Sequence, residues 1–237
     1  MNYMDTEYVI VVDENDKVIG KETKKATHVT KAIAGGLLHR AFSVMLFNSE
    51  GELLLQQRAG DKITFPYMFA NTCCSHPLYV EDELIEENAM GVKNAAIRKL
   101  ENELGITELN VDDLVFTTKI HYEAAQDAEW AEHEIDWLLL AKKEVEIVPN
   151  PSEVNSVRYV SKEALKQMFK DMEEGKVFIA PWFQLICETF LFKWWDRVEE
   201  IIANKGLPAD LKEGLPQVTY LGTPGNAVPA KKFFPSG

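Results

Sequence analysis

Residues 91–105 read GVKNAAIRKLENELG, and they separate two groups of strand-like sequence. Gly105 ends the stretch as a residue typical of helix C-termini. The apolar residues recur at helical spacing and share one side: Val92, Ala95, Ala96, Leu100 and Leu104. This spacing predicts an amphipathic helix over residues 91–104.

Strand-like segments lie on both sides of this helix. Two hairpins are predicted before it, one over residues 8–19 and one over residues 41–58, each with a polar turn at its centre. Strands are predicted after it at residues 115–122 and 134–141, with one or two more between residues 144 and 160.

Two helices are predicted to close the domain. The first is capped by Ser161 and ended by Gly175, and the second is strongly apolar and runs from Pro181 to about Ala203. Strands, one helix, more strands and then helices make an order typical of an α/β (α+β) fold, a mixed β-sheet sandwich flanked by helices.

The length of 237 residues and a hydrophobic content of 46% suit one large domain. We assign residues 1–206 to this domain with its C-terminal helices, and residues 207–237, rich in Pro and Gly, to a loosely ordered tail. No apolar run reaches the ~18 residues of a membrane span. The acidic start resembles neither a secretory signal nor a transit peptide, so a cytoplasmic location is predicted, with peroxisome and plastid left open.

The net charge limits the kind of ligand that the protein can bind, and the cysteine count indicates its redox compartment. A net charge of −13 argues against nucleic-acid binding, and an anionic ligand would need local Lys or Arg side chains or a divalent cation. Three cysteines indicate a reducing compartment rather than a disulfide scaffold. Nothing in the sequence requires an oligomer, and a monomer is predicted.

The stretch Asn71–Pro77, NTCCSHP, carries the most chemistry. In an extended segment, residues two apart face the same side. Cys74 and His76 are therefore predicted to face one cavity, with Cys73 and Ser75 facing away. Cys73 and Cys187 are predicted to be buried core residues.

A metal site is predicted from imidazoles and paired carboxylates: His28, His39, His76, Glu132 and Glu134. Two carboxylates on one strand face raise each other's pKa unless a cation lies between them. Imidazoles favour Zn²⁺, Mn²⁺, Fe²⁺ or Co²⁺ over Mg²⁺, and five ligands favour Mn²⁺ over a structural Zn²⁺. The alternative is that these residues are scattered over the surface. His121 and His133 are interpreted as structural.

Several segments in this order resemble the type I isopentenyl-diphosphate Δ-isomerases of eukaryotes, which belong to the Nudix superfamily. The resemblance covers roughly residues 7–200 and is carried by residues 38–43 (LHRAFS), 71–77 (NTCCSHP), 130–134 (WAEHE), 181–182 (PW) and 192–195 (FKWW). It implies a Nudix-type mixed sheet and the interconversion of isopentenyl diphosphate and dimethylallyl diphosphate in isoprenoid biosynthesis.

The resemblance also implies the residues that carry the chemistry. Cys74 and Glu134 match the acid and base that protonate C4 of the alkene and deprotonate C2. Tyr122 matches a residue that hydrogen-bonds the carboxylate, and Trp182 matches the pocket wall that stabilises the carbocation.

The remaining matched positions concern the diphosphate and its cation. Lys24, Arg58, Lys62 and Ser75 match substrate-binding positions. Glu103 matches the ligand of a Mg²⁺ ion that bridges to the diphosphate, with the Cys74 carbonyl beside it.

The Nudix helix departs from the pattern of the hydrolases. It keeps Arg98, Glu103 and Gly105 of the sequence R-E-U-x-E-E-x-G-U, but Lys99 and Asn102 replace two of its acids. This loss argues that a diphosphate is held rather than cut. A Nudix hydrolase of a diphosphate substrate is the alternative function, and a metal-binding domain without enzymatic activity is a second one.

Overall fold

The structure, a computed structural model, describes residues 3–222. Ten strands in this range form one sheet. They are β1 (Tyr8–Val12), β2 (Val18–Thr23), β3 (His39–Phe47), β4 (Leu53–Arg58), β5 (Phe69–Ala70), β6 (Cys73–Ser75), β7 (Val115–Ala125), β8 (Ala131–Lys142), β9 (Val154–Val160) and β10 (Thr219–Gly222).

The helices of the described range are α1 (Tyr3–Thr6), α2 (Lys24–Thr27), α3 (Thr30–Ala34), α4 (Met90–Leu104), α5 (Lys162–Glu173), α6 (Pro181–Ile186), α7 (Phe192–Trp194), α8 (Val198–Ala203) and α9 (Ala209–Lys212). Short 3₁₀ turns lie at Glu81–Glu83, Glu87–Ala89, Val111–Asp113 and Trp195–Arg197, and a π-helical turn at Cys187–Leu191. None of these helices has the length and apolar character needed to cross a bilayer.

The sheet is mixed, as the sequence predicts. Its main path runs β10-β7-β8-β3-β1-β2. The centre is the parallel pair of β3 and β8, in register from His39 opposite Glu134 to Phe47 opposite Lys142. Strand β7 lies antiparallel to β8.

The two faces of the sheet are covered by different helices. Alternation along β3 sends Phe42, Val44 and Leu46 to one face, where α4 packs its apolar side, and Met45 and Phe47 to the other. Helices α5, α6 and α8 contribute to the core on that second face. The predicted sandwich is confirmed.

The predicted helix ends are partly confirmed. Helix α4 ends before Gly105, which has a left-handed φ of 66°, and the Ser161 hydroxyl caps α5 by accepting from the Ala164 amide at 3.1 Å. The single helix predicted from Pro181 to Ala203 is wrong. The helical path there is interrupted by the π turn and by a 3₁₀ turn, after which Arg197 leaves helical geometry with a φ of −117°.

Strand β4 departs from the predicted second hairpin. It meets β3 in register only at Phe47 opposite Leu53 and pairs instead with β9. The edge of β3 that a longer hairpin would use is occupied by β6, which aligns Cys74 with Ser43. This exchange inserts the cysteine strand next to the centre of the sheet.

The segment after residue 206 is more ordered than predicted. Strand β10 pairs in parallel with β7, and Leu207, Leu211, Leu215 and Leu221 pack against the core. The expectation of a loose tail is wrong for residues 207–222, because regularly spaced leucines give this segment an apolar side to bury. Residues 223–237 of the predicted tail lie outside the described residues.

Candidate active site

Strand alternation sends the predicted functional side chains to one face of the sheet. Tyr122 on β7 lies in the same core as Leu138 and Leu140 of β8, and Glu134 shares their parity along β8. Cys74 on β6 packs against the same core. Helix α6 covers this face and brings Trp182 over it.

One cavity collects these side chains. Every predicted catalytic and substrate-binding residue borders it. Cys74 and His76 both border it, so the expectation that they face one cavity is confirmed. Ser75 borders it as well, although simple alternation predicts that it faces away. The lining residues are Met4, Lys24, His28, Arg58, Lys62, Ile63, Thr64, Cys74, Ser75, His76, Tyr122, Glu132, Glu134 and Trp182.

Cys74 is the one cysteine of the three that reaches the cavity; Cys73 and Cys187 are buried in the core. Burial raises the pKa of the Cys74 thiol to about 12, although the nearby guanidinium of Arg58 acts in the opposite direction. The Arg58 Nη1 atom lies 3.9 Å from the sulfur. The thiol thus holds its proton at neutral pH.

A buried cluster of side chains that could hold a metal ion adjoins the cavity. It consists of His28, His39, His76 and Glu134, whose ligand atoms all lie within 4.8 Å of one another. The parallel register of β3 and β8 places His39 opposite Glu134. The nearest ring nitrogens of His76 and His39 lie 2.8 and 3.3 Å from Glu134 Oε1.

The donor set suits a divalent transition metal. His28 Nδ1 lies 2.7 Å from the Lys24 carbonyl oxygen, which can only accept a hydrogen bond. The neutral His28 ring therefore carries its proton on Nδ1, and the lone pair on Nε2 is available to a metal. His39 Nδ1 and His76 Nδ1 are buried without a hydrogen-bond partner, and His39 Nε2 is buried with Glu134 Oε1 at 3.3 Å. A cation bound among these nitrogens would relieve the cost of leaving them unsatisfied.

Glu132 stands beside this cluster rather than within the four-ligand set. The Tyr122 hydroxyl lies 2.6 Å from Glu134 Oε2 and 3.1 Å from Glu132 Oε2, so its single proton serves one carboxylate at a time. Burial, followed by the charge of Glu134, raises the pKa of Glu132 to about 8. The two carboxylates therefore differ in environment even though they share a strand face.

Three cations border the cavity. Arg58 is fixed by hydrogen bonds from its Nε and Nη2 atoms to the carbonyl oxygens of Thr64 and Phe65. Lys62 pairs with Glu153. Burial, with repulsion from Lys99 and Lys62, lowers the pKa of Lys24 to about 8. Like charges on the lining of one cavity favour an anion between them.

Glu103, the predicted Mg²⁺ ligand, lies under the opposite face of β6. Its carboxylate accepts from Lys99 Nζ at 3.0 Å and Gln56 Nε2 at 3.1 Å, and Cys73 Sγ is 3.6 Å away. Burial raises its pKa, but Lys99 and Lys62 more than offset this and bring the pKa to about 2. The carboxylate is ionised, and it does not border the cavity itself.

Asn71 was not predicted to act in the site, yet it is hydrogen-bonded to Trp182, a residue of the cavity lining. It is fully buried, and its Oδ1 accepts from Trp182 Nε1 at 3.1 Å. Its Nδ2 donates to the carbonyl oxygens of Cys73 and Val44. A polar amide beginning an otherwise buried strand segment is the sequence signal for such a role.

The loop before β5 supplies two further lining residues that the sequence did not reveal, Ile63 and Thr64. Gln126 donates to the Ile63 carbonyl at 3.0 Å, which ties this loop to the end of β7. Ile63 and Thr64 are identified as lining residues only by the three-dimensional contact between their loop and the segment that follows β7.

Comparison with known proteins gives the family. The NUDIX domain model matches residues 37–183. Isopentenyl-diphosphate Delta-isomerase 1 of Bos taurus is 53% identical over 197 residues, which are 82% of this chain and 87% of that protein. The chain belongs to the isopentenyl-diphosphate Delta-isomerase family.

Plant and bacterial proteins extend the comparison. The chloroplastic isopentenyl-diphosphate Delta-isomerase I of Arabidopsis thaliana, another member of the family, is 53% identical over 81% of this chain and 67% of its own length. A crystal structure of a protein from Deinococcus radiodurans aligns with a TM-score of 0.52 at 18% identity, covering 78% of this chain and 99% of that one. This second likeness shows the shared fold.

Proposed function

We propose that the chain interconverts isopentenyl diphosphate and dimethylallyl diphosphate, the reaction named for its family relatives. The observation that carries this proposal is a single cavity bordered by Cys74, Glu134 and Trp182, with Lys24, Arg58 and Lys62 also on its lining. A thiol and a carboxyl group supply two proton carriers, an indole supplies an apolar wall, and the cations suit a diphosphate.

The reaction consists of two proton transfers. One of Cys74 and Glu134 delivers a proton to C4 of the alkene, whose π electrons form the new C–H bond and leave a tertiary cation at C3. The other takes a proton from C2, and the electrons of that C–H bond form the new double bond. The order of the two residues reverses with the direction of reaction.

Tyr122 and Trp182 support these transfers. The Tyr122 hydroxyl, 2.6 Å from Glu134, orients the carboxyl group and passes a proton to or from it. The Trp182 side chain is 2% exposed, and its ring face stabilises a positive centre while excluding water that would quench it to an alcohol.

The metal ligands are proposed as His28, His39, His76 and Glu134, with Glu132 as the fifth. Mn²⁺ or Zn²⁺ suits this mixture of imidazole and carboxylate. When bound, the ion supplies the positive charge that sets the acidity of the Glu134 carboxyl group.

The diphosphate is proposed to bind Lys24, Arg58, Lys62 and Ser75. Arg58 has the planar fork that holds two oxygens at once, and its neighbouring carbonyl contacts already fix its direction. A Mg²⁺ ion that accompanies the diphosphate is proposed to bind Glu103 and the Cys74 carbonyl; Glu103 is ionised, and the ion would take the place that the Lys99 ammonium holds at 3.0 Å.

We further propose that the protein acts as a monomer in the cytoplasm. A plastid location is the second candidate, since an Arabidopsis thaliana relative is named chloroplastic. Sedimentation of the purified protein and imaging of a tagged chain would test the two statements separately.

A product assay tests the proposed function against hydrolysis. Incubation with isopentenyl diphosphate and Mg²⁺ should yield an allylic diphosphate, seen by NMR, with no inorganic phosphate. Glu134→Gln should abolish this product, whereas Glu123→Gln, on an exposed position of β7, should not. Phosphate without the allylic product would contradict the isomerase and support a Nudix hydrolase.

A further inference from the structure

A pair of imidazoles, separate from the three of the active-site cluster, lies on the opposite face of the sheet. On β7, Ile120 and Tyr122 face the core, so His121 between them faces the other side. On β8, His133 likewise lies between Glu132 and Glu134 and faces away from them. The Nε2 atoms of His121 and His133 are 2.9 Å apart.

The sheet holds one imidazole in the form that binds a metal. His133 Nδ1 lies 2.9 Å from the Leu37 carbonyl oxygen, which can only accept, so the proton is on Nδ1. The Nε2 atom of His133 therefore carries a lone pair toward His121. A backbone carbonyl that fixes the tautomer of a histidine in this way is a common feature of metal ligands.

The spacing of the two nitrogens fits a shared ion. Ligand nitrogens about 2.0–2.1 Å from one metal are about 2.9 to 3.4 Å apart for coordination angles between about 90° and 110°. The observed distance of 2.9 Å lies at the lower end of this interval, and small ring rotations would lengthen it to the larger values. Both rings are half-buried, so water can complete the coordination.

The surroundings of the pair favour a cation. A cavity on this face is lined by His121, His133, Glu14, Asn15, Val218 and Tyr220. Burial and His133 lower the pKa of His121, while Glu14 and Glu123 act against this lowering. The two carboxylates make the field at the His121 ring negative, which favours a cation.

We propose that His121 and His133 bind one divalent transition-metal ion of the kind that prefers imidazole, such as Zn²⁺ or Cu²⁺. The ion would join β7 to β8 behind the active site. It would also lie next to the Tyr220 ring of β10, whose centroid is 5.1 Å from that of His121. The opposing interpretation is a neutral hydrogen-bonded pair that binds no metal.

The test follows the five imidazoles of the full-length protein by NMR with ¹⁵N-labelled histidine. Metal is first removed with a chelator, and Zn²⁺ is then added as the probe. We expect the His121 and His133 nitrogen resonances to shift together and to saturate with one equivalent of their own. Unchanged resonances of both residues in excess Zn²⁺ would overturn the proposal.

Matched variants are compared by the number of Zn²⁺ ions that each protein binds. His121→Gln should lower the number of bound Zn²⁺ ions by one and leave the shifts of His28, His39 and His76 as in the wild type. Tyr220→Phe should keep the full number, because the ring and not its hydroxyl contacts His121. Equal Zn²⁺ binding by His121→Gln and the wild type would contradict the site. Failure of the proposed isomerase would appear instead as a lack of allylic product, and failure of the active-site metal cluster as unchanged resonances of His28, His39 and His76, so the outcomes are distinguishable.

Discussion

The indole nitrogen of Trp182 donates a hydrogen bond to Asn71 Oδ1 over 3.1 Å. The same asparagine donates to the Cys73 carbonyl oxygen at 2.9 Å. One buried side chain thus connects the aromatic wall of the cavity to the strand that carries Cys74. The distance between the proposed proton carrier and the proposed cation stabiliser depends on this connection.

Asn71→Ala should weaken both stability and turnover. It leaves the Trp182 N–H buried without an acceptor, which costs about 1–3 kcal/mol in the free energy of unfolding. Trp182→Phe has no donor to leave unsatisfied, so the double variant should cost less than the sum of the two single variants. Urea denaturation of the four proteins gives the coupling energy, expected at about 0.5–3 kcal/mol. Additive effects would contradict the connection.

The two adjacent cysteines provide a matched pair. Cys74→Ala should abolish allylic product without unfolding the protein, because Cys74 borders the cavity and Cys73 does not. Cys73→Ala should retain turnover and lose about 1 kcal/mol of stability by leaving a small cavity beside α4. A thiol alkylator should inactivate the enzyme at Cys74 slowly at neutral pH and faster at alkaline pH, where more thiolate forms, and bound substrate should protect it. Full activity of Cys74→Ala would exclude the thiol as a proton carrier.

Tyr122→Phe removes only the hydroxyl that reaches Glu134 at 2.6 Å. Loss of an outer partner of a metal-ligating carboxylate costs about 10- to 100-fold in activity or metal affinity. We expect a fall in kcat of this size with an unchanged circular dichroism spectrum. Tyr220→Phe, at an exposed position of β10, is the control and should match the wild type. Equal kcat values for the two variants would argue against a role for the Tyr122 hydroxyl.

Removal of metal should lower both the stability of the fold and the enzymatic activity. The buried nitrogens of His39 and His76 lose their compensating partner when the cluster is empty. A ligand at 100 times its Kd stabilises the native state by about 2.7 kcal/mol. In the His121→Gln background, which lacks the second proposed site, addition of Mn²⁺ or Zn²⁺ after chelation should raise the Tm by several degrees, and the further change His39→Gln should remove this rise. A Tm rise of the same size in the double variant would place the ion elsewhere.

Local patterns in the sequence predict a large part of the fold. The apolar spacing of residues 91–104 gives helix α4, and strand alternation correctly sends Cys74 and Cys73 to opposite faces. The interrupted helix after Pro181 could not be predicted, since apolar residues that pack on a sheet keep the same spacing through a π turn. Likewise, nothing local shows that β6, rather than β4, pairs along β3.

The candidate site depends on long-range register that no local pattern contains. The cluster of His28, His39, His76 and Glu134 forms because β3 and β8 align His39 with Glu134 and β6 joins the other edge of β3. The residue types predicted a metal site with five ligands, and the structure brings four of them together. The position of Glu132 outside the four-ligand set and the pairing of Glu103 with Lys99 are apparent only in three dimensions.

Cys74 and Glu134 are proposed to exchange protons with one alkene in one cavity, and NMR of the product formed from isopentenyl diphosphate in D₂O tests this proposal. We expect dimethylallyl diphosphate with deuterium in the methyl group that arises from C4, and no product with Cys74→Ala or Glu134→Gln. Dimethylallyl diphosphate without deuterium, or undiminished deuterated product from both variants, would contradict it.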